Sequence, residues 1–206
     1  MRPIMTCIAG LALGLTLGGS AGTASVELRI AAAGPATSDL DGLIWPAGAA
    51  GRRIDQGGAT LSPDDLRDRI VVVSFVAPDC AIVCVARTLD LERVARSLPD
   101  GLRDRAVFLA VSFDASPTRL RAFVDGTVGA GTRLRFLTGP PAWSDALAAM
   151  LRYPAASLPE PPPQILLFDR RGAVASNYGG DPVDGPRLAS DIAVLDTFAQ
   201  GLDAAR

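Results

Sequence analysis

Two cysteines, Cys80 and Cys84, carry most of the chemistry that this sequence offers. They stand between an apolar run, Ile70 to Val76, and a stretch of helical spacing that begins near Ala81. The free N–H groups at a helix start stabilise a thiolate, so a thiol at such a junction is reactive when exposed. The spacing is Cys-x-x-x-Cys, one residue longer than the redox Cys-x-x-Cys. In a regular helix, positions four apart hold their Cβ atoms ~5–6 Å from each other, and a disulfide wants ~3.5–4.5 Å. Cys80 is therefore expected in the loop, off the helix, just after Pro78 and Asp79. Three uses of the pair remain open. It could exchange disulfides, with Cys80 attacking and Cys84 resolving; it could clamp a soft ion such as Cu(I) between two thiolates; or it could staple the loop to the helix. The staple would restrain the unfolded chain little, because the loop it closes is so short. Asp79 and Asp114 are the nearest candidate acids for a proton relay, with solvated or capping roles as the alternative.

Composition narrows the rest. The chain has no histidine, which removes the Ser-His-Asp triad, the Cys-His nucleophile and every histidine-containing zinc site. Net charge is -2, and all basic residues are arginine. With no basic patch, nucleic acid is not an expected partner. Apolar residues make up 49% of the chain and charged residues 20%, enough for a sizeable core.

The N-terminus has the layout of an export signal: Met1-Arg2, an apolar Ile4 to Gly19, then small residues to Ser25. The apolar run is about 16 residues, short of the ~20 that span a bilayer. Cleavage after Ala24 is expected over a retained membrane anchor, and Cys7 in this run is read as a small apolar residue. Residues 1–24 are thus the signal segment, 25–38 a linker, and 39–206 a single domain. An exported domain would keep Cys80 and Cys84 in the periplasm or cell envelope, where a disulfide persists.

The elements that must position the pair follow from periodicity. Asp41-Gly42 and Ala47–Gly51 suggest turns around a short N-terminal hairpin. Ser62-Pro63-Asp64-Asp65-Leu66 has the form of a single helical turn. Ile70–Val76 and Ala106–Phe113 are expected as buried strands. Between them, Val85, Leu89, Val94 and Leu98 recur at helical spacing, with Arg87, Asp90, Glu92, Arg93 and Arg96 as the polar face. A helix opens at Ser116-Pro117, and a short strand at Leu134–Leu137 precedes another helix over 142–152. After a proline-rich loop, Ile165–Phe168 and Ala173–Tyr178 form a hairpin, and a helix closes the chain. Parallel units followed by an antiparallel hairpin make an α/β mixed central sheet with helices on both faces. That is a thioredoxin-like fold, here with the N-terminal hairpin as an extension.

Several motifs, in order, are similar to those of the Sco/SenC family, thioredoxin-like copper-site assembly factors of cytochrome oxidase. They are Val71-Val72-Val73-Ser74-Phe75 with Cys80-x-x-x-Cys84, Val111-Ser112-Phe113-Asp114 with Ser116-Pro117, Phe136-Leu137-Thr138-Gly139, and Leu166-Leu167-Phe168-Asp169 with Gly172. The resemblance implies a cysteine-containing client, such as a copper-site subunit of the respiratory chain, and copper bound by both cysteines and one histidine. That histidine would fall about eleven residues before the hairpin glycine, where this chain has Pro161-Pro162-Pro163-Gln164. Val85 replaces the proline that usually follows the second cysteine, and the acidic spacer after the Ser-Val-Asp-Pro-like segment is shortened, although Asp114 keeps its place. The metal set thus reduces to Cys80 and Cys84, and the expected cofactor is none, with Cu(I) as the alternative. A second pattern, Pro163-x-x-x-Leu167-x-Asp169-x-x-Gly172, resembles membrane-linked thioredoxins. There a cis-proline faces the cysteines, so Pro163, with Asp114, is expected to line the substrate cleft. Thiol–disulfide exchange is the leading expectation, a Cu(I) carrier the first alternative, and a non-catalytic scaffold with a structural disulfide the second.

Overall fold

The computed structural model describes residues 39–80, 82–153, 160–179 and 181–204. The signal segment and linker, 1–38, lie outside them. Six strands form one sheet in the order β1-β4-β3-β2-β5-β6. They are β1 (Ile54–Asp55), β2 (Ile70–Val76), β3 (Ala106–Ser112), β4 (Leu134–Thr138), β5 (Ile165–Phe168) and β6 (Val174–Tyr178). The helices are α1 (Leu40–Ile44), α2 (Pro63–Leu66), α3 (Ile82–Ser97), α4 (Asp100–Arg103), α5 (Pro117–Thr127), α6 (Pro141–Met150) and α7 (Gly185–Ala204).

β2 is the middle of this sheet, and all seven of its residues are buried. It runs parallel to β3, with Ile70 opposite Ala106, and antiparallel to β5, with Ser74 opposite Ile165. Its alternation supplies two cores. Val71, Val73 and Phe75 pack with α1 and α6, through Leu43, Ile44, Trp143 and Leu147. Ile70, Val72 and Val76 pack with α3, α5 and α7, through Leu91, Leu120 and Ile192. Each such aliphatic side chain contributes about 1.5–3 kcal/mol on full burial. A strand buried on both faces holds its C-terminal end in a fixed place, and Cys80 lies four residues past that end. The hairpin β5–β6 turns at Gly172, whose φ of 81° suits a residue without a Cβ.

This is the expected thioredoxin-like mixed sheet, with two departures. The N-terminal hairpin is reduced: Asp41-Gly42 lies inside α1, capped by the Asp39 side chain. What remains is a tight return with Ile54 bridged to Thr60, and its β1 arm pairs with β4. Along α3 the buried stripe is Cys84, Arg87, Thr88, Leu91, Glu92, Val94 and Ala95, whereas Leu89 is exposed. Arg87 and Glu92, expected on the polar face, point inward because both find partners there. Glu92 accepts from Thr132 Oγ1 and from the Arg133 backbone N–H.

The Phe136-Leu137-Thr138-Gly139 segment has a steric basis. A Cβ on Gly139 would stand 2.3 Å from the ring of fully buried Trp143. Gly139→Ala should therefore cost about 1–3 kcal/mol through overpacking, read as a lowered denaturation midpoint at unchanged slope.

Candidate functional site

The chain leaves β2 at Val76, makes a turn closed by the Cys80 N–H to the Ala77 carbonyl (2.9 Å), and enters α3 at Ile82. Cys80 is in the loop and Cys84 in the first turn of the helix. With Cys80 off the helix, the two sulfurs join in a disulfide, across a Cα–Cα separation of 5.8 Å. The bond is packed against Ala77, Val83 and, from α5, Phe123. Cys84 is 0% exposed and Cys80 6%, so what access exists lies on the Cys80 side. Between them, Ile82 projects into solvent at 83% exposure.

α5 approaches the same loop with a charge. Arg119, in its first turn, pairs with Asp79, the residue before Cys80, and with Asp114 at 2.8 Å. The Arg119 hydrogen bond and charge hold the Asp79 carboxyl below its ordinary range, and the Arg119 guanidinium is raised in turn. Asp114 does a second job: its Oδ1 accepts from the Ser116 N–H at the start of α5 (2.7 Å). Its carbonyl accepts from Thr138 Oγ1 (2.8 Å), tying the ends of β3 and β4 together. Asp79 and Asp114 are thus brought together through Arg119, beside the disulfide. Arg119 was not singled out by its sequence context. Its signal was a cation in the first turn of a helix, where the dipole disfavours it unless a carboxylate is near.

Behind the disulfide lies a buried cation. Arg87, 2% exposed, stands on α3 one turn past Cys84. Its Nε and Nη2 donate to the two Asp181 carboxylate oxygens at 2.9 and 2.7 Å. Its Nη1 donates to the carbonyls of Phe75 and Pro162, 3.2 Å each. One guanidinium therefore ties the end of β2, the proline loop and the β6–α7 connection to the disulfide-bearing helix.

Pro163 lacks the cis bond that the thioredoxin resemblance implies. The peptide bond entering it is trans; the cis bond among the described residues joins Asp181 to Pro182. Pro161 and Pro162 are buried while Pro163 is exposed, and Arg87 holds the Pro162 carbonyl. The loop still runs beside the end of β2, since β5 opens with Ile165 opposite Ser74.

Among the described residues, no three histidine, cysteine, aspartate or glutamate side chains are gathered to hold a metal ion. No described helix is long and apolar enough to cross a membrane.

No protein-family model matches the sequence, and no curated protein matches it. Solved structures do match. ScoI of Bradyrhizobium japonicum, with copper bound, shares 18% identity over 71% of this chain and 98% of its own, at a TM-score of 0.56. A SCO1/SenC family lipoprotein from Bacillus anthracis shares 18% identity over 71% and 92%, at 0.57. DsbF of MTB, in mixed oxidised and reduced forms, shares 17% identity over 71% and 95%, at 0.51. The chain has the thioredoxin-like fold of the Sco structures.

Proposed function

We propose that this chain carries out thiol–disulfide exchange in the cell envelope through Cys80 and Cys84, on a cysteine-containing client. The observation that carries the reading is the place of the disulfide, at the junction of the central strand and a helix start. Thiols there are activated by backbone N–H groups. The fold is one in which DsbF occurs in oxidised and reduced forms. The client would be a copper-site protein of the respiratory chain, a step that rests on likeness to Sco proteins. Envelope placement rests on the apolar start of the sequence and on the likeness to a lipoprotein.

The test supplies the disulfide form with an excess of a reduced cysteine peptide under native conditions. Two peptide thiols give up two electrons and two protons, forming one peptide disulfide as Cys80–Cys84 opens to two thiols. Stoichiometric conversion, read by intact mass, is expected; inertness until denaturant is added would reject the proposal.

Copper as cargo is the second reading, favoured by the copper-bound ScoI relative. The donor set here does not fit a site of two cysteines and one histidine. The chain contains no imidazole, and Pro161 to Pro163 occupy the stretch where the Sco-like pattern would place it. Affinity for Cu(II) should therefore fall well below that of a complete site, with tight binding limited to Cu(I) at the reduced pair. Titration of the reduced protein with Cu(II), free of air, should give no stable thiolate-to-copper charge-transfer band. A stoichiometric, long-lived band would restore the copper reading.

A further inference from the structure

Thr88 is buried at 1% exposure, and its Oγ1 has no hydrogen-bond partner. A desolvated hydroxyl left unpaired costs about 1–3 kcal/mol. A helical threonine ordinarily avoids that by donating to the carbonyl four residues back. Here that carbonyl belongs to Cys84, and the bond is not made. Packing alone does not explain the hydroxyl. The polar neighbours in the same stripe, Arg87 and Glu92, have their own partners. Leu91 and Ala95 are apolar, and valine would fill the space of threonine with no polar atom to bury.

The position supplies the explanation. Thr88 follows Cys84 by four residues on α3, so the two side chains are neighbours on one face. Helical side chains lean toward the N-terminus, which inclines Thr88 toward Cys84. While Cys84 Sγ is bonded to Cys80 Sγ, it is a poor acceptor. Cys84 is fully buried in the disulfide form; once the bond opens, its sulfur is a free, weak acceptor with the Thr88 hydroxyl as its neighbour on the helix face.

We propose that Thr88 Oγ1 donates a hydrogen bond to the Cys84 sulfur in the reduced protein, so that reduction satisfies a hydroxyl which the disulfide form leaves unpaired. This rests on the exchange reading of the Cys80–Cys84 pair. The step it tunes is balanced by the reductant: two external thiols lose two electrons and two protons and form a disulfide. The Cys80–Cys84 bond breaks and each sulfur gains a proton. Because Thr88 favours the reduced product, it makes the pair a stronger oxidant.

The parent, Thr88→Val and Thr88→Ser are equilibrated with glutathione buffers of set potential, trapped with an alkylating reagent and weighed. Thr88→Val should lower the equilibrium constant for reduction about tenfold, a potential about 30 mV more negative. Thr88→Ser, which keeps the hydroxyl, should stay near the parent. Denaturation of each redox form of each variant gives the same quantity a second way. Val should leave the oxidised form as stable as the parent or more so, and should destabilise the reduced form. Equal potentials for Val and parent, or a Ser variant that shifts as far as Val, would overturn the proposal. A parent potential below ~-300 mV would instead sink the exchange reading, while the difference between variants would still decide the role of Thr88.

Discussion

Cys84→Ser should accumulate mixed disulfides with client proteins through Cys80, and Cys80→Ser should trap roughly tenfold fewer. The asymmetry comes from where the chain places each sulfur. Cys80 lies in the loop before α3 and keeps the little exposure that the pair has. Cys84 is fully buried, closed in by Ala77, Val83 and Phe123. In the exchange proposed above, a client bonded to Cys80 is released when Cys84 attacks that bond, so a serine at position 84 should let the intermediate accumulate. Thiol trapping in envelope extracts, followed by mass measurement of the adducts, reads the outcome. If Cys80→Ser traps more, the roles of attacker and resolver are reversed.

The second large effect concerns Arg87. Arg87→Met should lower stability by about 3 kcal/mol, on the order of 10 °C in Tm for a chain of this size. The substitution removes four hydrogen bonds at once, two to Asp181 and one each to the carbonyls of Phe75 and Pro162. Methionine fills much of the same volume, so the loss reports the unpaired polar groups rather than a cavity. Asp181→Asn keeps an acceptor for the guanidinium and should cost less, about 1–2 kcal/mol. Calorimetry on both variants checks the order. A loss below about 0.5 kcal/mol for Arg87→Met, the range of ordinary surface substitutions, would mean that Arg87 does not hold the proline loop to α3.

Arg87 also marks where sequence reasoning stopped. The central strands were legible because β2 and the latter part of β3 are apolar on both faces, a pattern few other elements show. The single turn α2 was legible from Ser62-Pro63 and its acids, and the β5–β6 turn from Asp169 and Gly172. The cysteine positions followed from the edges of those elements. The face of α3 did not. Arg87, Thr88 and Glu92 sit in the buried stripe, and three polar residues there break the apolar period and shift the apparent seam onto Leu89. No local pattern reveals that Asp181, far along the chain, will meet Arg87. The same holds for Arg119, whose partners are an adjacent loop and the end of another strand. The trans bond at Pro163 was not legible, because three prolines in a row give no local sign of which will turn inward. The loop's anchor there is a tertiary contact, Arg87 on the Pro162 carbonyl.

The reduction potential of the Cys80–Cys84 pair, measured on the folded protein against glutathione buffers, tests the exchange function most directly. A pair that trades disulfides with clients should titrate near ~-200 mV or above; a value below ~-300 mV is that of a structural staple and would contradict it.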